Sequence, residues 1–223
     1  MDWFIGILAI GVFAFFLGKF IKHKSLYPFM PFRYDFRKRR GSFLKAMDLM
    51  NAINANIIIE TGTSREGLRG TKSNGAATIV FGKWAQENNA FVHSVDISEE
   101  SCRNAQQEVD NQNLNKVVKI HHSDSLIFLD EFNDKVDLLY LDSYDYSSDV
   151  EVQKKSQEHH LLEFKAIEDK LHENSVVLID DCDLPNGGKG KLVIAYMVKN
   201  GWRIVIDAYQ VLLVREDFAF DKA

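Results

Sequence analysis

Asn56-Ile57-Ile58-Ile59-Glu60-Thr61-Gly62, NIIIETG in one-letter code, decides the fold. Three consecutive isoleucines without polar alternation predict a strand buried on both faces, as in the middle of a parallel sheet rather than at its edge. The run ends in an acid and a glycine, so Glu60 stands at the carboxyl end of the strand and Gly62 lets the chain turn sharply. In open α/β sheets, ligands bind at that end of a central strand. Taken alone, the motif also describes an ordinary tight turn.

Outward from this strand the pattern alternates. Further strands are predicted at 90–95, 116–121, 136–141 and 175–180, and helices at about 75–88, 99–112, 124–131 and 157–172. Such alternation means a parallel sheet with helices on both faces, a doubly wound, Rossmann-like α/β fold. Before it, Phe43, Leu44, Met47, Met50 and Ile53 share one face of a helix. After Asp180 a Gly-rich loop leads to a helix near 190–200. The closing apolar runs, Trp202–Ile206 and Tyr209–Val214, are too close together for a crossover and predict an antiparallel hairpin.

The chain has 223 residues, room for one α/β domain and a short extra segment. Cys102 and Cys182 have neither CxxC spacing nor a disulfide framework, which favours a reducing compartment. The net charge of -5 hides an asymmetry: residues 41–223 carry 19 basic against 30 acidic residues, a balance of -11. An acidic body is a poor match for a nucleic-acid backbone, so no nucleic-acid partner is expected.

The excess positive charge lies just after an apolar amino terminus. Trp3–Gly18 contains no charge, and eighteen helical residues from Trp3 to Phe20 rise ~27 Å, close to the thickness of a bilayer's hydrocarbon core. An acidic start and a basic, aromatic flank argue against a cleaved signal peptide. The expected organisation is a transmembrane anchor over 1–21, a basic-aromatic juxtamembrane linker over 22–41 and a domain over 42–223. Lys19, Lys22, Lys24, Arg33 and the run Arg37–Arg40 would place that domain on the cytoplasmic side of a single-pass membrane protein, with residues 3–20 in lipid. The linker suits anionic headgroups or packing on the domain.

Each parallel strand is followed by an acid: Glu60, Asp96, Asp124, Asp142 and the pair Asp180-Asp181. One acid after one strand usually caps the next helix, the simplest reading of Asp124. An acid after the second strand of a Rossmann-type sheet is placed to accept from the two ribose hydroxyls of an adenosine ligand, and Asp96 is that residue.

The order Glu60-Thr-Gly62, Asp96, Asp124, with an antiparallel final strand, resembles the class I S-adenosylmethionine-dependent methyltransferases over about residues 42–216. Within them, Tyr140-Leu-Asp142 and Leu178-Ile-Asp180-Asp181 are similar to the metal-dependent macrocin and novobiocin-type sugar O-methyltransferases, and more distantly to catechol O-methyltransferase. The resemblance implies that Glu60 and Gly62 hold the methionine end of S-adenosylmethionine, Asp96 its ribose, and Asp124 with Ser125 its adenine edge. It also implies that Asp142, Asp180 and Asp181 ligate Mg²⁺ or a similar divalent cation. The chain departs from the family's pattern after Gly62, where Thr63–Asn74 inserts Arg65, Arg69 and Lys72 in place of a short glycine-rich loop. Such an insertion suits an anionic group, or is a solvated loop.

The metal reading has physical support: adjacent strand ends lie about 4.8 Å apart, and three carboxylates that close repel unless a cation sits among them. Capping of loop amides by Asp180 and Asp181 is the alternative. Methyl transfer to oxygen needs a proton acceptor, and Asp145 is the candidate, three residues past Asp142 where catechol-type relatives carry a lysine. His121-His122 and His159-His160 read first as structural or surface residues. The expected activity is O-methylation of a hydroxyl on a small molecule or glycan. Its rivals are a metal-independent methyltransferase for protein or lipid, and a silent membrane-tethered binding module. A nicotinamide oxidoreductase is disfavoured because no GxGxxG follows the first strand.

Overall fold

The computed structural model describes residues 2–23, 36–70 and 76–218, in two compact units, Met1–Asp35 and Phe36–Ala223. The first contributes one helix, α1 (Asp2–His23), on which Ile7, Leu8, Ile10 and Phe13 are exposed. Among the described residues, no helix is long and apolar enough to cross a membrane. The helix expected over 3–20 is present, then, and the crossing is not supported. Residues 24–35 of the expected linker lie outside the described residues.

The second unit begins with a single 3-10 turn, Arg37–Arg39, that runs into α2 (Arg40–Ile53). Then come β1 (Ile57–Thr61), α3 (Ala77–Asn88), β2 (Phe91–Asp96), α4 (Glu99–Asn111), β3 (Val118–His122) and α5 (Ser125–Glu131). After them follow β4 (Val136–Leu141), α6 (Val150–Ile167), β5 (Leu171–Ile179), α7 (Lys191–Lys199), β6 (Trp202–Asp207) and β7 (Val211–Arg215). The seven strands form one sheet in the order β3-β2-β1-β4-β5-β7-β6. The first five are parallel, and β7 runs antiparallel to both β5 and β6, as the short closing connection requires.

Ile58 and Ile59 of β1, Leu138 to Leu141 of β4 and Val176 to Ile179 of β5 have no exposed surface. Helices on both faces explain this. On one side Phe43 of α2 meets Phe81 of α3 at 5.5 Å and Tyr140 of β4 at 6.0 Å. On the other, Phe164 of α6 meets Tyr196 of α7 at 6.0 Å and Trp202 of β6 at 5.8 Å. Burying each such side chain contributes roughly 1.5–3 kcal/mol. The flush register Thr61↔Leu141 and Leu141↔Ile179 brings Gly62, Asp142 and Asp180 to one edge.

Several boundaries differ from the sequence reading, among them the start of β5, expected at 175 and found at Leu171. The helix expected at 157–172 begins at Val150, because Asp149 caps it, accepting from the Glu151 and Val152 amides at 2.8 and 3.5 Å. The basic run assigned to the linker belongs in part to the body: Arg39 and Arg40 are buried, and the compact unit starts at Phe36.

Candidate active site

The carboxyl ends of β1, β2 and β4, with the first turns of α4 and α5, wall a cavity of about 640 Å³. That volume is in the range of small-molecule sites. Gly62, Asp96, Asp124 and Ser125, expected at the cofactor, all line it, as does Asp145. The Asp96 carboxylate accepts from the Thr63 amide at 3.1 Å and the Ser98 amide at 2.8 Å, so it ties the β1 loop to the start of α4. Asp124 is the α5 N-cap, accepting from the Leu126 amide at 2.8 Å. Ser125 Oγ lies 3.2 Å from His159 Nε2. The Ser143 hydroxyl, also on the wall, is buried with no hydrogen-bond partner among the described residues, as a group awaiting a ligand would be.

Glu60 does not line this cavity. It is 1% exposed, and its Oε2 accepts from Thr78 Oγ1 at 2.6 Å and Ser94 Oγ at 2.5 Å. Thr78 Oγ1 in turn accepts from the Ser64 amide at 3.0 Å. Glu60 thus fixes the loop after β1 from beneath. Burial pushes its pKa up to about 7, against the pull of the Ser94 and Thr78 hydrogen bonds. Gly62 has φ +82, and a Cβ there would come within 2.4 Å of the Asp142 carbonyl oxygen, so only glycine lets the ends of β1 and β4 approach.

A second cavity, about 150 Å³, adjoins the first and shares Gly62, Arg65 and Asp145 with it. Asp142, Asp181, Lys189, Arg39 and Tyr209 form its other side. The three expected metal ligands do converge here, as their register predicts. Their partners are side chains. Lys189 Nζ donates to Asp142 at 2.6 Å and lies 3.2 Å from Asp181. Arg39 Nε donates to both Asp180 oxygens at 2.7 and 3.1 Å, and its Nη2 reaches Asp181 at 3.3 Å. Asp180 also accepts from Tyr140 OH at 2.9 Å, and Asp181 from Tyr209 OH.

Burial opposes the charge on Lys189, but Asp142 and Asp181 outweigh it and raise its pKa above the ordinary lysine value. Burial likewise acts against the Asp181 carboxylate, yet Lys189, Tyr209 and Arg39 hold it below the usual range. Among the described residues no group of three or more His, Cys, Asp or Glu is arranged to hold a metal. The assignment of Asp142, Asp180 and Asp181 to Mg²⁺ finds no support in this arrangement, where Lys189 pairs with Asp142 and Asp181, and Arg39 with Asp180 and Asp181.

Asp145, the expected base, is exposed at the junction of the cavities, where Arg65 Nη2 donates to it at 2.7 Å. Of the inserted loop, residues 71–75 lie outside the described residues; Arg65 reaches the site. His160 is buried, its pKa lowered to about 4 by desolvation, and its Nδ1 pairs with the Ser156 carbonyl at 2.7 Å. His159 does line the larger cavity, and Glu163 at 3.2 Å raises its pKa against the effect of burial. A cavity of about 740 Å³ at Lys135, Leu171 and His172 lies by the amino-terminal ends of β4 and β5, away from these acids.

The sequence reading missed Lys189, Arg39 and Tyr209, and for His159-His160 allowed that one could face the substrate while taking a surface position as the default. Lys189 had a signal, a lysine between glycines just past the Asp pair. Arg39 had none, since nothing separates it from its basic neighbours.

The family described as methyltransferase domain matches residues 70–182. No curated protein matches the sequence. Among solved structures, the chain is similar to the SAH-bound methyltransferase PaMTH1 of Podospora anserina, at 12% identity over 87% of this chain and 86% of that one, TM-score 0.58. It is similar to an O-methyltransferase from Bacillus cereus in complex with SAH, at 14% identity over 78% and 80% of the two chains, TM-score 0.54. The O-methyltransferase TomG from Streptomyces achromogenes, in complex with SAM, is 14% identical over 81% and 82%, TM-score 0.55. At these identities the structural likenesses show the shared fold. The family match spans just over half of the chain and includes Asp96, Asp124, Asp142, Asp180 and Asp181: the chain belongs to the methyltransferase-domain family and is a methyltransferase.

Proposed function

We propose that the protein transfers a methyl group from S-adenosylmethionine to a hydroxyl of a small molecule or glycan. One observation carries this reading: a ligand-sized cavity with Asp96 on its wall opens, across Gly62, Arg65 and Asp145, into a small polar cavity. Two reactants held in adjoining cavities meet at their junction, which is the proximity that methyl transfer needs. The solved relatives that hold SAH or SAM in the same fold support the donor. The residues present fit it: Asp96 retains acceptor capacity for ribose hydroxyls, Asp124 and Ser125 face the same space, and the Ser143 hydroxyl has no partner among the described residues.

S-adenosylmethionine supplies a methyl on a cationic sulfur. Methylation breaks the S–CH₃ bond, forms the O–CH₃ bond and releases the acceptor's hydroxyl proton. Asp145 takes that proton, and the guanidinium of Arg65 fixes its carboxylate at the junction. No step needs a metal.

The test is a pair of variants. Asp96→Ala should weaken SAH binding roughly ten-fold or more in a calorimetric titration, because ribose hydroxyls lose a charged acceptor. Asp145→Asn should leave SAH binding within two-fold and slow SAH production in a screen of hydroxyl-bearing acceptors. Unchanged affinity in the first variant removes the adenosine site; undiminished turnover in the second removes Asp145 as base.

On the sequence and the exposed apolar side chains of α1, we also propose attachment of the amino terminus to a membrane, with the enzyme on the cytoplasmic side.

A further inference from the structure

We propose that Lys189 is a built-in replacement for a divalent cation: its ammonium, clamped between Asp142 and Asp181, occupies the cation's place beside the smaller cavity and leaves the enzyme blind to divalent metal. The inference rests on the methyl-transfer reading for its catalytic meaning, though not for its test. Asp142, Asp180 and Asp181 bring three carboxyl groups together, and Lys189 and Arg39 set two cationic side chains against them, the charge of one Mg²⁺. Lys189 Nζ holds Asp142 Oδ1 at 2.6 Å, so a metal bound through either Asp142 oxygen would sit within a few ångströms of a fixed ammonium. Side-chain exposure of 4% for Lys189 and 6% for Arg39 makes both permanent parts of the fold rather than surface charges that could swing aside.

The ammonium is also aimed. A lysine has three N–H donors. Two of them meet Asp142 and Asp181, and Lys189 lines the smaller cavity, so the third is left for an oxygen there. The backbone secures this placement. The Lys189 amide donates to the Asp181 carbonyl at 3.1 Å, and a Cβ on Gly188 would come within 2.0 Å of the same oxygen, so the loop closes onto Asp181 only with glycine before the lysine.

The experiment titrates Mn²⁺, followed by its electron paramagnetic resonance signal and by thermal denaturation, into wild type, Lys189→Ala and Lys189→Arg. SAH affinity is measured alongside. Wild type and Lys189→Arg should bind no Mn²⁺ at sub-millimolar concentration, and EDTA should not shift their melting temperatures. Lys189→Ala, which frees the Asp142 and Asp181 oxygens, should gain a Mn²⁺ site and a Mn²⁺-dependent rise in Tm, with SAH affinity within two-fold of wild type. Micromolar Mn²⁺ binding by wild type overturns the proposal. So does a folded, SAH-binding Lys189→Ala that gains no metal. If Lys189→Ala does not fold, Lys189→Met, which keeps the length of the side chain and removes the ammonium, decides by the same criterion. Loss of SAH binding in wild type would instead strike the methyl-transfer reading and leave the metal result standing.

Discussion

Glu60 is a carboxyl group whose cost changes with pH. Its pKa is pushed up to about 7 in the fold from an ordinary value of 4.5, chiefly by burial. A raised carboxyl favours the protonated form, so its contribution to stability is complete below about pH 4.5 and is lost as pH rises through 7. The loss is roughly 3 kcal/mol for a shift of this size. Glu60→Gln stays neutral throughout, so its Tm relative to wild type should climb between pH 4.5 and 7 and level off above. A pH-independent difference in scanning calorimetry of the ligand-free protein would show that the carboxyl does not titrate there. At this scale the sequence was legible wherever a residue's place followed from a strand end. Asp96, Asp124, Asp142, Asp180 and Asp181 needed only the alternation to be placed at one edge. Their partners were hidden because Arg39 and Lys189 come from a turn and a loop whose paths no periodicity reports.

Between elements, the β2–β3 edge under α5 contains a pair of imidazoles. His93 Nδ1 and His121 Nε2 are 3.1 Å apart, and Phe128 of α5 and Phe132, which caps its C-terminus, pack against them. Burial lowers both pKa values, that of His121 to about 4. A histidine lowered in this way stabilises the fold as the neutral form. Its contribution is present above the ordinary value near 6.5 and is lost as pH falls toward 4. The corner of β2, β3 and α5 should therefore loosen first in mild acid. Amide hydrogen exchange at Phe128 and Phe132 should accelerate between pH 7 and 5, once corrected for intrinsic rates, and His121→Phe should flatten that dependence. An equal acceleration in the variant rules out the pair as its source. The strands and most helices were readable from hydrophobic period, whereas the start of α6 was not. Asp149 caps it within a polar stretch, Ser147-Ser148-Asp149-Val150-Glu151, where no apolar stripe announces a helix.

For the whole molecule, the boundary of the body is the sharpest test. A fragment of residues 36–223 should keep the melting temperature and SAH affinity of the full chain, and should lose whatever membrane attachment α1 provides in a carbonate-washed fraction. A fragment of 42–223, cut where the sequence placed the domain, lacks Arg39. It leaves Asp180 buried without its guanidinium, at a cost of about 3–5 kcal/mol. Equal stability of the two fragments would show that the turn before α2 is dispensable. The separation of Arg39 from its partners also sets an order of events during synthesis. Arg39 leaves the ribosome about 170 residues before Tyr209, which at ~5–20 residues per second is ~10–30 s of waiting. A nascent chain cut short before Lys189 displays Asp180 and Asp181 with one counter-charge instead of two, and without β7 to cover β5. Translation thus finishes the charge balance almost last, and incomplete chains are left as substrates for proteolysis.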